Sequence, residues 1–420
     1  MAAQRPAGSP SPSVRRLIIY SPDAFQLATH CYDYVGGLGK AVASTGVDVV
    51  VVGWEGPLSH SAPLHEARLA RTEGEGRERS IYRRVLGGLG DVTWGMARVW
   101  TERRLLAHLG TVVDGARDAA VLFESAEYIA LSRFLRRERR TYPRACIFHD
   151  TSFNLRHASR VAAAYKYACR PFVREIIRRS DAVFVHGPGM RENLVTSVNA
   201  PPALAGRIHA IPYGAPHPDE VQRLDRGPAR AQLQLPDGQC LMLAFGTLRR
   251  DKRFDVVLRG LAQLPEWHLL VAGPEGDVSY DELLGMARSA GVLDRVRLDR
   301  GFVPPQRQPL YFGAADVVVA IYDGSTRHES GTAQLARTFL RPVIAGGGPD
   351  LLAYVETTGT GWPVDVRDPG SFARVLAEVD RSGAMRSRQL ESRIHACAVS
   401  RSWAVVSRTF LSHLGWADAA

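Results

Sequence analysis

The chain has 420 residues, 45% of them hydrophobic and 23% charged, with a formal net charge of +10. That length exceeds one ordinary core, so two domains are expected, and the composition is that of a globular protein rather than a disordered or collagen-like one. No apolar run reaches the roughly 18 residues of a membrane span, the opening MAAQRPAGSPSPS lacks the apolar stretch of a secretory signal, and five scattered cysteines, none spaced as CxxC, argue against a disulfide framework and structural zinc.

A cytoplasmic protein is therefore expected. Its elements begin, in chain order, with the apolar runs RLIIY (16–20) and DVVVVG (48–53). Between these two, Cys31, Val35, Leu38 and Val42 fit one face of a helix over 28–45. A long apolar-periodic segment over 81–109, with Trp94 and Trp100, reads as a core or lid helix pair. The runs AAVLFE (119–124), ACIFH (145–149), DAVFV (181–185) and RIHAI (207–211) come next. CLMLAFG (240–246), HLLVAG (268–273), VRLD (296–299), DVVVA (316–320) and RPVIA (341–345) complete the series. Nearly continuous apolar strands alternating with helical stretches predict parallel sheets covered on both faces.

The strand–helix–strand unit closing on Gly-x-Glu-Gly occurs twice, at Gly53–Gly56 and Gly273–Gly276. Two doubly wound halves follow. The expected organisation is a disordered tail over 1–14, a first domain over 15–205, a hinge over 206–236 rich in Pro and Gly, a second domain over 237–395, and a C-terminal helix over 396–420 that crosses back. Trp403, Val406, Phe410 and Leu414 give that helix an apolar stripe.

Two stretches carry the most chemistry. In LAFGTLRRDKRFDVVLRGL a strand ends at Gly246, and Thr247 leads into the basic loop of Arg249, Arg250 and Lys252 before a helix near Phe254. A helix N-terminus offers free N–H groups and the positive end of its dipole to an anion. Three of the 53 basic side chains are lysines (Lys40, Lys166 and Lys252), the rest arginine, and Lys252 stands where a compact charge suits a phosphate. A plain solvated loop is the other reading. In the second stretch, Ser330-Gly331-Thr332 opens a helix, either to admit a phosphate or as an ordinary N-cap.

Together these stretches resemble the C-terminal half of retaining glycosyltransferases of the GT-B fold, glycosyltransferase family 4. The resemblance includes Gly246 to Lys252, Ala314-Ala315-Asp316 before an apolar strand, the PVIA of Pro342–Ala345, Gly361 to Val364, Gly301-Phe302-Val303 and Ile211-Pro212-Tyr213-Gly214. It implies two Rossmann-like domains facing a central cleft, donor nucleotide on the second and acceptor on the first. Arg249 and Lys252 would then meet the diphosphate, aided by Ser330, Gly331 and Thr332, with Phe302 and Val303 beside the base. Many members carry two glutamates eight positions apart; here Arg327 and Leu335 occupy those places, and Glu329 is the candidate substitute for the first.

In the first half, Gly36 and Gly37 resemble the family's glycine pair near the phosphates, although they also fit the interior of the helix described above. His149, just after its strand, matches a histidine that faces the transferred sugar. Asp150 beside it, Glu124 at the end of AAVLFE and His186 after DAVFV are further cleft candidates.

The expected reaction moves a sugar from a UDP- or GDP-sugar to a small polar acceptor such as a cyclitol, aminocyclitol or thiol, without a metal or bound cofactor. A cell-envelope polysaccharide or glycolipid transferase and a nucleotide-sugar epimerase or hydrolase are the alternatives. Nucleic acid is not expected as a partner. The basic stretch over 133–144 and Tyr165-Lys166-Tyr167 leave peripheral contact with an anionic membrane open.

Overall fold

The computed structural model describes residues 15–24, 30–53, 65–66, 88–114, 118–139, 141–153, 160–324 and 330–416. The chain divides into two compact units. One comprises Met1–Val185, Asn193–Ile211 and Ser407–Ala420; the other comprises His186–Glu192 and Pro212–Val406.

Among the described residues the first unit has seven strands: β1 (Arg16–Tyr20), β2 (Asp48–Val52), β3 (His65–Glu66), β4 (Ala119–Glu124), β5 (Arg144–Phe148), β6 (Ala182–Val185) and β7 (Ile208–Ala210). All pair in parallel, in the order β3-β2-β1-β4-β5-β6-β7. Every residue of β4 is buried, as a central strand between two helical layers requires. Sheet growth reverses direction between β1 and β4.

The second unit repeats the scheme with β8 (Cys240–Phe245), β9 (Trp267–Gly273), β10 (Val296–Arg300), β11 (Val317–Ile321), β12 (Val343–Gly346) and β13 (Gly361–Val364), in the order β10-β9-β8-β11-β12-β13. Its alternating residues feed two cores. Met242, Leu269, Val271 and Val319 pack with Phe254 and Phe372 on one face. Leu241, Leu243, Leu270 and Val318 pack with Phe312 and Ala336 on the other. Each such fully buried aliphatic side chain contributes about 1.5–3 kcal/mol. Here the reversal falls between β8 and β11.

Four expectations change. Over 81–109 the described residues form one helix, Gly88–Asp114, rather than a pair, and 81–87 lie outside the described residues. Gly36 and Gly37 lie inside helix His30–Ala43, whose Cys31, Tyr34, Val35, Leu38 and Val42 are buried, so they do not form a loop. The stretch over 206–236 is structured: it contains β7 and helix Arg226–Gln232, and the units change at Pro212. Within it the buried Arg230 donates to the carbonyls of Ala314, Asp237 and Gln239 and to Asp316, which ties this segment to the second unit.

At the C-terminus there are two helices, Arg388–Ser400 and Trp403–His413. The second of these belongs to the second unit up to Val406 and to the first unit from Ser407. In the first unit, the Phe410 ring lies 5.2 Å from that of Phe184, and the His413 ring 4.2 Å from that of His209.

Candidate active site

Open α/β sheets bind ligands beyond the carboxyl ends of their strands, at the point where strand order reverses. In the second unit that point lies between the ends of β8 and β11. β8 runs into Gly246, whose φ of 85° is accessible to glycine at little cost. The neighbouring strand end is equally tight, since a Cβ on Gly273 would meet the Gly246 carbonyl oxygen at 2.4 Å.

The loop beyond Gly246 begins with the exposed Thr247, makes a single 3-10 turn over Arg250–Lys252 and enters helix Phe254–Ala262. That path folds Lys252 back so that Nζ donates to the Phe245 carbonyl at 2.6 Å. Thr332 Oγ1, from the first turn of helix Gly331–Thr338, donates to the same carbonyl at 3.0 Å. Ser330 caps this helix by accepting from the Ala333 amide at 3.1 Å, and its hydroxyl lies 2.6 Å from that of Tyr322. The cap and the convergence on Phe245 are thus parts of one arrangement.

Burial pushes the Lys252 ammonium down to about 7, and the positive charge of Arg249 acts in the same direction. An arriving anion would favour the protonated form. Arg249 Nε and Nη2 donate to the Asp251 carboxylate at 3.0 and 2.9 Å, a pair within the loop. The turn after β10 is pinned by Tyr280, whose hydroxyl accepts from the Gly301 amide at 2.7 Å and donates to the Gly273 carbonyl at 3.1 Å. It leaves Phe302 52% exposed and Val303 buried, so Phe302 is the side chain of the two that can meet a ligand. Glu329 and Arg327 lie outside the described residues.

In the first unit the reversal point gathers a different chemistry. Glu124, the last residue of β4, is fully buried. Ser21, just after β1, donates to its Oε2. Ser125 Oγ donates to Oε1 at 2.8 Å, and His149 Nε2 lies 2.7 Å from that same oxygen. Burial by itself would raise this carboxyl, but hydrogen bonds from His149, Ser21 and Ser125, with the charge of His149, outweigh it and hold Glu124 down to about 2. The ionised Glu124 fixes which imidazole nitrogen carries a proton, an orienting role familiar from Asp–His pairs in hydrolases. The imidazole and the Tyr34 ring meet in a T-shaped arrangement with centroids 4.9 Å apart.

Asp150 pairs with Lys166 and accepts from the Ser152 amide at 2.8 Å. His186 is 2% exposed, with its ring 4.7 Å from that of Tyr213, and offers no surface to a ligand in this structure. Of the first-half candidates, then, Glu124 and His149 come together, Asp150 follows His149 in sequence, and His186 falls in the other unit. Ser21 and Ser125 escaped the sequence reading, although both follow apolar strands in the way Gly246 does. Among the described residues, no trio of His, Cys, Asp or Glu is placed to hold a metal, and no helix is long and apolar enough to cross a membrane.

Solved structures share both units. Sucrose-phosphate synthase from Thermosynechococcus elongatus aligns over 95% of this chain and 98% of its own, with a TM-score of 0.72 at 18% identity. WaaG, a glycosyltransferase involved in lipopolysaccharide biosynthesis, aligns over 95% and 99% with a TM-score of 0.62 at 15% identity. The fold is GT-B. Within this GT-B chain the sequence itself is similar to D-inositol 3-phosphate glycosyltransferase of Mycobacterium sp. (strain KMS), 31% identical over 222 residues. It is also similar to the protein of that name from Mycolicibacterium smegmatis, 32% identical over 222 residues. These segments are 51% of this chain and 48% and 49% of the two relatives, so the GT-B chain spans about half the length of the curated relatives it matches. No protein-family model matches it.

Proposed function

We propose that this chain transfers a glycosyl group, with retention, from a nucleoside diphosphate sugar to a small polar acceptor. The observation that carries the proposal is the convergence of Lys252 and Thr332 on the Phe245 carbonyl at the reversal point of the second unit. It leaves a protonatable ammonium beside the start of a capped helix, which is what a departing diphosphate requires. The similarity to glycosyltransferases over half the chain supports the same assignment. So does the fold shared with Anabaena HepE, solved in complex with UDP-glucose, at a TM-score of 0.64 and 13% identity.

In this scheme the bond between the anomeric carbon and the diphosphate oxygen breaks as the bond to the acceptor oxygen forms. The acceptor proton leaves on the diphosphate. Lys252 and the amides of Gly331 and Thr332 meet the growing negative charge, so no divalent metal is required. His149, oriented by Glu124, contacts the transferred sugar. Both oxygens of Glu124 already accept hydrogen bonds, which argues against a covalent intermediate on that carboxylate. The relatives named for inositol 3-phosphate make a cyclitol phosphate the first acceptor to examine.

The test is calorimetric titration with UDP, GDP, ADP and dTDP, without metal and then with magnesium. Micromolar binding of one diphosphate without metal supports the donor site and names its base. Retention is then read from the anomeric configuration of the product by NMR. If no nucleotide binds, the glycosyl-transfer reading fails. Turnover of donor without acceptor would point to an epimerase or hydrolase instead.

A further inference from the structure

The helix Gly88–Asp114 supplies a buried ion pair that the scheme above does not use. Arg98 Nε donates to Glu102 Oε1 at 2.7 Å, one helical turn on. Glu102 is fully buried, and an ion pair taken out of water is tolerated where its remaining bonding positions are filled. They are filled by a single turn, by Tyr20 and, on the Arg98 side, by Asp23, whose carboxylate lies 3.5 Å from Nη2. Arg98 Nη2 donates to the Ser125 carbonyl at 2.9 Å. Glu102 Oε2 accepts from the Glu127 amide at 2.8 Å and from the Tyr20 hydroxyl at 3.2 Å.

The pair therefore grips the backbone of the turn immediately after Glu124 at both ends. That turn holds a serine in an unfavourable conformation: Ser125 has φ 53°, in the left-handed region that L-residues other than Gly, Asn and Asp seldom occupy. The hydroxyl of the same Ser125 donates to Glu124 Oε1, the oxygen that His149 Nε2 meets.

We propose that Arg98 and Glu102 are positioning residues for the Glu124–His149 pair. They hold Ser125 in its left-handed turn, Ser125 and Ser21 hold the carboxylate of Glu124, and the carboxylate sets the direction of the imidazole. The proposal rests on the reading of His149 as facing the transferred sugar. An ion pair that served the core alone is replaceable by apolar groups of equal volume. This one is not, because the Ser125 carbonyl and the Glu127 amide would lose their partners.

Glu102→Gln is the informative substitution. Both oxygens of Glu102 accept from donors, so an amide must turn its NH2 toward either Arg98 or the Glu127 amide, and one grip is lost with the volume kept. Arg98→Lys keeps the charge and loses the fork, and it serves if Glu102→Gln does not fold. The readouts are kcat, diphosphate affinity by calorimetry, and the downfield Nε2–H NMR resonance of His149. Each is measured for wild type, Glu102→Gln, Glu124→Gln and the double variant.

The expected result is a kcat lower by about 10–100-fold, diphosphate affinity unchanged, and the His149 resonance broadened into solvent exchange. The effect of Glu102→Gln should also vanish in the Glu124→Gln background, as it must if one acts through the other. The proposal is overturned if the folded single variants keep the wild-type kcat and His149 resonance, or if the two kcat effects multiply in full in the double variant. Should wild type bind no nucleotide, the glycosyl-transfer reading falls by itself, while the His149 resonance still decides whether the grip positions the imidazole.

Discussion

At the reversal point of the first unit a carboxylate, Glu124, draws in Ser21, Ser125 and His149, whereas at that of the second a backbone carbonyl, Phe245, draws in Lys252 and Thr332. The two points are equivalent in topology and opposite in charge. Burial acts on both, and what surrounds the buried group decides the outcome. Three donors more than offset the burial of Glu124 and hold it ionised. For the Lys252 ammonium, burial and the nearby Arg249 charge outweigh the carboxylate of Asp251 and bring it down to about 7. The buried carboxylate has its donors in place; the buried ammonium is one that an arriving anion would favour.

That contrast is open to attack from both sides. The largest effect is expected from His149→Ala, which should lower kcat by about 10²-fold or more while leaving diphosphate affinity unchanged by calorimetry. An equal loss of affinity would erase the proposed division of labour. Lys252→Ala should weaken diphosphate binding at least about tenfold, or about 1.4 kcal/mol, and Glu124→Gln should not.

A third experiment uses the Lys252 charge directly. Above pH 7 the ammonium is partly neutral in the free protein, and an anion draws its proton back. Diphosphate binding should therefore take up a proton, and affinity should fall as pH rises through 7 toward the usual lysine range of about 10.4. Titration in buffers of different ionisation enthalpy measures the uptake, and a value of zero would remove Lys252 from the site.

For Glu124 the sign is reversed. Its folded value of about 2 lies below the ordinary carboxyl value of about 4.3, so its stabilising contribution is complete above the latter and is lost as pH falls toward 2. Thermal melts of Glu124→Gln should therefore fall less steeply across that interval than those of wild type. The smallest effect belongs to Gly246→Ala, about 1 kcal/mol for a side chain at φ 85°, read as a modest drop in Tm.

The strands were legible almost residue by residue, because a strand covered on both faces must be apolar throughout, as VVVAI of β11 is. GWPV of β13 hides its strand in the sequence: it is a half-exposed edge with a proline and carries no apolar run. Around Gly36 and Gly37, resemblance and helical periodicity pointed different ways, and the buried face of Tyr34, Leu38 and Val42 decided for the helix.

In the site, Lys252 stood out by its rarity and Glu124 and His149 by their place at strand ends. Arg98 and Glu102 gave no signal. An Arg–Glu pair four residues apart on a helix reads as a surface pair worth a few tenths of a kcal/mol, and packing against Tyr20 and the turn at Ser125 is what buries it. Arg249 shows the same limit: nothing in the sequence says that Asp251, two positions on, pairs with it.

The helix Trp403–His413 has a consequence for biosynthesis. Residues from Ser407 onward belong to the first unit, where Phe410 meets Phe184. A ribosome makes Phe184 before, and Phe410 after, the whole of Pro212–Val406. The N-terminal unit therefore leaves the exit tunnel unfinished, with the surface around Phe184 awaiting a segment that follows nearly 200 residues of the second unit. Nascent chains arrested just short of Trp403 should thus be clients for chaperones, although all seven strands of their first sheet have already been translated.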